Sequence, residues 1–164
     1  QVLPKDKHDN ELYLDCTIVN TSFLGSKKPY KVYRAKKDNQ PVALLIESTA
    51  PDGYSGNIDI LSAVYLDGTV AGVRVLKHKE TPGLGDKIEI EKSPWITEFN
   101  NIQVKSEQDM RWAVKKDGGM FDQFTGATIT PRAVISAVKR ASLYAQHEQN
   151  MLFEAENKCV GVDK

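Results

Sequence analysis

The chain has 164 residues, long enough for one domain with a buried core. Its 22 basic residues balance 22 acidic ones without forming a basic block, so the electrostatic footprint of a nucleic-acid binder is missing. No apolar run approaches the roughly 20 residues that a membrane-spanning helix needs, and the amino terminus shows neither a charged leader nor a hydrophobic signal core.

The opening, QVLPKDKHDNELYLDC, reads as a chain cut in mid-course, with residues 1–15 peripheral and the fragment itself soluble. The segment YKVYRAKKDNQPVALLIES predicts two strands around a polar turn at residues 37–40. After a Pro/Gly-rich break, TAPDGYSGN, a second hairpin is expected in IDILSAVYLDGTVAGVRVLKH. Its turn is placed at Asp67-Gly68, because both residues tolerate the positive φ of a type I′ turn. The proline and two glycines of ETPGLGD, residues 80–86, require a loop. In KSPWITEFNN, Ser93 is the expected N-cap and Pro94 the first helical residue, with Trp95, Ile96 and Phe99 as the apolar face. The segment VKSEQDMRWAVKKDGGM has no clear period, and its glycines end it.

The last element is predicted to start with Thr130 as N-cap and Pro131 as first helical residue. Val134, Ala137, Val138, Ala141 and Tyr144 recur at three and four residues, while Arg132, Ser136, Lys139, Arg140 and Gln146 take the opposite face. The tail after Gln149 is expected to be irregular, with residues 150–164 peripheral and Cys159 as their anchor. Hairpins followed by helices predict an α+β fold: one domain over residues 1–164, an antiparallel sheet of two consecutive hairpins with packed helices.

Cys16 and Cys159 stand near opposite ends with no metal spacing, and His8, His78 and His147 add none. No metal site is expected. From the residues alone, the cysteines are either two unrelated thiols or one disulfide.

The unusual stretch is DQFTGATITPRAV, residues 122–134, in which Thr125, Thr128 and Thr130 precede the proline. A helix start exposes backbone N–H groups and the positive end of its dipole, so an anion is held there by geometry that already exists. Gly126 and Ala127 leave the backbone open to a bulky group. The residues allow either a phosphate site or an over-furnished cap without a ligand.

The D-x-x-T-G-A-T pattern of Asp122 to Thr128 resembles the recognition motif of flavin transferases, which couple flavin mononucleotide (FMN) through its phosphate to the last threonine. Together with ETPGLGD, DGYSG and WAVKKDGGMFDQFTGATITPRAV, it makes the chain similar, over residues 13–146, to the FMN-binding domain of the G subunit of the Rnf electron-transport complex. A looser likeness extends to the C subunit of the sodium-translocating NADH:quinone reductase.

That resemblance implies covalent FMN on Thr128, with clearance from Gly126 and Ala127 and a cradle of Thr125, Thr130 and nearby N–H groups. It also places Glu80, Thr81, Gly83 and Leu84 beside the flavin ring, with Trp112 as a wall and Lys115 as a charge near the phosphate. Each has a plainer alternative: a tight turn, a core tryptophan, a solvated lysine. Asp122 would serve transferase recognition. The implied partners are the other Rnf subunits, including the membrane flavin subunit, the transferase, and the membrane through an anchor missing here. The implied location is the periplasmic face of a bacterial inner membrane, where a Cys16–Cys159 disulfide is chemically reasonable. An electron carrier needs no general acid, base or nucleophile, and the sequence offers no such constellation. The alternatives are a module binding FMN or another phosphorylated ligand noncovalently, and a ligand-free interaction domain.

Overall fold

The structure, a computed structural model, describes residues 2–159. Five strands form one antiparallel sheet in chain order: β1 (Cys16–Val19), β2 (Tyr30–Lys37), β3 (Gln40–Gly53), β4 (Gly56–Tyr65) and β5 (Val70–Lys77). The long helix α1 (Ile129–Glu154) crosses it. The α+β architecture expected from the hairpins is present, with one strand more than the two hairpins supply. β1 escapes the sequence pattern because it is only four residues long and lies at the sheet edge.

Both hairpins form, but their turns exchange character. Gly68 takes φ 90° while Asp67 does not take positive φ, so the Asp67-Gly68 turn is not type I′. Asp67 instead accepts the N–H of Thr69 through its carboxylate, at 2.9 Å. Successive positive φ angles occur in the first hairpin, at Asp38 (51°) and Asn39 (64°), as a right-handed twist between tightly joined strands favours. The break expected over residues 49–57 shrinks to the turn at Tyr54 and Ser55. β3 continues to Gly53, and the register shifts between Ala50 and Gly53, around Pro51, which has no N–H to give the ladder.

Alternation along the strands divides the sheet into two buried faces. Leu44, Ile46, Ile58, Ile60 and Val64 pack under α1, against Val134, Val138, Ala141 and Leu152. Beside the helix an aromatic cluster of Trp95, Phe99, Trp112, Phe121 and Phe124 extends that core, with Trp95 and Phe124 centroids 5.1 Å apart. On the reverse face Ala35, Ala43, Leu45 and Ala63 are covered by Val2 and Leu3. Gly72 is required there, because a Cβ would run into the Val2 backbone.

Ser93 caps a 3-10 helix, Pro94–Phe99, by accepting the N–H of Trp95 at 3.1 Å. The α1 start differs from the sequence reading. The helix begins at Ile129, so Thr128 and not Thr130 occupies the N-cap position, and Pro131 is the third helical residue. Thr130 cannot cap because its buried hydroxyl is donated to Glu80. The other end also differs: α1 runs on to Glu154 where an irregular tail was expected after Gln149. Burial of Leu152 against the sheet and capping of the last carbonyls by Arg34 sustain the extra turn. Beyond it Cys159 is bonded to Cys16, with 5.4 Å between their Cα atoms.

Candidate functional site

Three segments far apart in sequence meet at the start of α1. They are the β3–β4 turn, carrying Tyr54; the loop from Glu80 to Gly85; and the threonine knuckle from Gly126 to Thr130. Between them lies a cleft of about 270 Å³ lined by Tyr54, Thr81, Leu84, Gly85, Gly126, Ala127, Thr128, Ile129 and Thr130.

The knuckle owes its shape to Gly126, whose φ of 76° favours a residue without a side chain. Crowding is not the reason, since a Cβ there would lie 3.7 Å from Leu84 Cδ2, an ordinary contact. Thr128 follows in helical conformation, and its side chain makes no capping hydrogen bond. Thr128 is half-buried and lines the cleft, with no helix N–H for its hydroxyl to satisfy. The N–H groups of Ile129 and Thr130 fall in the first helical turn, where an α-helix supplies no internal partner. Pro131 adds none.

The second wall is a loop closed on itself. Asp86, buried, accepts the N–H of Gly83 at 2.9 Å and the Lys92 ammonium at 2.9 Å. The Lys92 hydrogen bond holds the Asp86 carboxyl below its ordinary value, against the opposing effect of burial. Gly83 needs its positive φ of 81° for this turn. Gly85 answers to space instead: a Cβ there would lie 2.7 Å from Thr130 Oγ1 and 2.9 Å from Glu80 Cβ.

Of the residues singled out in the sequence, the cleft collects Thr81, Leu84, Gly126, Ala127, Thr128 and Thr130. Glu80 lies beneath the lining, bonded to Tyr54, Ser55 and Thr130. Thr125 and Gly83 are exposed beside the cleft without lining it. Trp112 is not brought there. It is buried against Phe99 and Phe121, and its indole N–H donates to the Gln103 carbonyl at 3.3 Å. Lys115 pairs with Asp122 at 2.7 Å, both exposed. Asp122 is fixed further by its N–H, donated to Glu98 at 3.0 Å, and its carbonyl, which accepts the Trp95 indole N–H at 2.8 Å. Lys115 holds the Asp122 carboxyl low, while burial raises that of Glu98.

Sequence reasoning missed Tyr54 and Ile129, whereas Gly85, read from ETPGLGD as a glycine that lets the backbone lie against a ring, does line the cleft. Tyr54 had a visible cue, as an aromatic residue at the tip of DGYSG. Ile129 had none, because a helix placed two residues later leaves it outside.

Comparison with known proteins bears on the same segments. Residues 53–142 match the model of the FMN-binding domain family, a span that contains every residue lining the cleft. The chain is 52% identical over 160 residues to the G subunit of the ion-translocating oxidoreductase complex of Pseudoalteromonas atlantica, covering 97% of this chain and 74% of that protein. The chain belongs to this G-subunit family. The corresponding subunits of Pectobacterium atrosepticum and Salmonella typhimurium are 56% and 58% identical over 146 residues, 89% of this chain and 70% of each relative. Within the family's FMN-binding domain, the cleft combines an apolar rim with a free hydroxyl and N–H donors at a helix start, which suits a phosphorylated aromatic cofactor. Among the described residues no helix is long and apolar enough to cross a membrane, and no cluster of His, Cys, Asp or Glu could hold a metal.

Proposed function

We propose that the chain is an electron-transfer subunit of an ion-translocating oxidoreductase complex, carrying FMN as a phosphoester on Thr128. The observation that carries this reading is Thr128: the residue lines the cleft, and its side chain makes no capping hydrogen bond. A second threonine, Thr130, is committed to Glu80 and unsuited to the task. In the transfer the Thr128 O–H bond and a P–O bond of the flavin donor break, an O–P bond forms, and the donor's leaving group departs with the bonding pair and takes up the proton, so the product equals the chain plus one FMN less a water. The first-turn N–H groups and the positive helix end then face the phosphate oxygens. Thr81, Leu84 and Ala127 would border the isoalloxazine. When bound, FMN supplies the redox chemistry; this chain positions it and tunes its surroundings.

A tether suits a carrier on the periplasmic face of an inner membrane, where lost flavin is not replaced from solution. The Cys16–Cys159 disulfide supports such an oxidising compartment. The remaining partners would be the other complex subunits, the membrane flavin subunit among them, and a flavin transferase that recognises Asp122 during maturation. Attachment to the membrane would come through an anchor outside this sequence.

The test is intact mass spectrometry of protein exported together with a flavin transferase. Wild type should gain the mass of one FMN less a water, and Thr128→Ala should gain nothing. Yellow colour that separates from the chain on denaturation would instead favour the noncovalent module, and an adduct mapped to another side chain would defeat the assignment.

A further inference from the structure

Glu80 is 4% exposed, and its carboxylate accepts three hydrogen bonds. The donors are the backbone N–H groups of Tyr54 at 3.0 Å and Ser55 at 2.9 Å, and the hydroxyl of Thr130 at 2.5 Å. Two of the cleft's walls thus hang on one carboxylate that itself opens the third. Glu80 is held in turn by its own N–H, donated to His78 Nδ1 at 2.9 Å. That bond leaves the His78 proton on Nε2, donated to Glu89 at 2.6 Å. A buried carboxylate with three matched donors is a rigid pin, because swapping or losing a donor leaves a buried group unpaired.

What the pin holds in place is the turn that carries Tyr54, a residue 68% exposed. Leu84 and Ile129 line the same cleft at 41% and 47% exposed. Three large apolar side chains that the core leaves uncovered therefore surround one opening beside the phosphate cradle. Such a rim marks a surface that something else covers. Tyr54 is the one aromatic residue among those lining it, since Trp112 and Phe124 belong to the buried cluster.

Resting on the proposed flavin ester, we infer that Tyr54 is the aromatic side chain that packs on the isoalloxazine, and that Glu80 is the positioning residue that aims it. A planar phenol on a rigid turn gives an aromatic ring a large contact at small cost in rotamer freedom. Glu80 then acts on the flavin through Tyr54 and Thr130, not by touching it.

Contact with a phenol quenches flavin emission by reversible electron transfer, with no net reaction. The experiment measures emission of the exported, transferase-treated protein, normalised to the FMN occupancy of the same sample by mass. Tyr54→Leu should raise emission per flavin about threefold or more through loss of aromatic contact. Tyr54→Phe should raise it too while leaving the visible circular dichroism near wild type, because the ring still packs. Glu80→Gln places an amide NH2 against a backbone donor and should also raise emission, but should add nothing in the Tyr54→Leu background. Thr130→Val removes one of the three donors and provides the same comparison should Glu80→Gln fail to fold. Unchanged emission in Tyr54→Leu overturns the contact. An equal rise for Glu80→Gln in both backgrounds overturns the positioning role. A wild-type protein without the FMN mass is a different result, and removes the proposed function together with this inference.

Discussion

Arg34 shows how much one side chain can organise. It is 3% exposed, sits in the middle of β2, and donates to the Asp15 carboxylate at 2.8 Å. Its Nη1 reaches the end of α1, donating to the carbonyls of Leu152 at 3.1 Å, Phe153 at 3.4 Å and Ala155 at 2.6 Å. A helix end leaves its last carbonyls without internal partners, and a cation there also meets the negative end of the dipole. Arg34→Met removes every one of these donors at once. The Asp15 carboxylate would keep Lys36 at 3.1 Å and the Asn10 amide at 3.3 Å. The expected loss is about 2–4 kcal/mol, the range for breaking a buried pair whose partners stay behind. Equilibrium urea unfolding should show a lower midpoint with an unchanged slope. Arg34→Lys should recover only part of it, since one ammonium cannot reach along the fork that the guanidinium spans.

Among the elements, the loop before the aromatic strip is held by Asp109. Its buried carboxylate accepts the Arg111 Nε at 2.9 Å and Nη2 at 2.8 Å, and the Lys105 N–H at 2.9 Å. The Arg111 guanidinium, ahead of the backbone donors and against burial, holds the Asp109 carboxyl well below the ordinary carboxylate range. A depressed carboxyl stabilises the fold above its unfolded value of about 3.9, and that share is lost as pH falls through the folded value. Asp109→Asn should therefore cost about 1–3 kcal/mol at pH 7, the worth of charge-assisted hydrogen bonds. Its deficit against wild type should narrow as pH falls below about 4, where the wild type begins to lose that share. A deficit that stays constant from pH 7 to pH 2 would mean that the carboxylate's charge contributes nothing. The elements themselves were legible in the sequence in proportion to how local their causes are. Ser93 before Pro94 caps as read, because a cap is settled within three residues. The alternating segments gave both hairpins. Thr130 failed as a cap because its hydroxyl is claimed by Glu80, 50 residues earlier in the chain. Asp67-Gly68 lost its turn type to a carboxylate bond with Thr69 that competes with the ideal geometry. The covering of the reverse face by Val2 and Leu3 has no local cue at all.

At the scale of the molecule, α1 joins two sites with different jobs. Its first turn borders the cleft, and a few residues past its last lies Cys159, bonded to Cys16 at the start of β1. A helix of 26 residues separates its ends by about 39 Å at 1.5 Å per residue. The disulfide is therefore remote from the cleft while closing nearly the whole chain into a loop, with a sequence separation of 143. In the chain-entropy account such a loop costs the unfolded ensemble about 5 kcal/mol, and native disulfides of small exported domains contribute about 2–5 kcal/mol in practice. The double change Cys16→Ser and Cys159→Ser should lower stability by that amount in guanidinium titration. It should not alter FMN loading or emission, because packing on the sheet fixes the start of α1 through Val134 and Val138. The local damage should instead fall on β1, where Asn157 accepts the Cys16 N–H at 3.2 Å and Cys16 accepts the Lys158 N–H at 2.8 Å. Amide exchange should accelerate first in these residues and leave β3 and β4 protected, because an edge strand of four residues opens before the centre of a sheet. Equal stability of the oxidised and double-serine proteins would show that hydrogen bonding alone secures the carboxyl-terminal segment, and that the covalent link merely follows from their proximity.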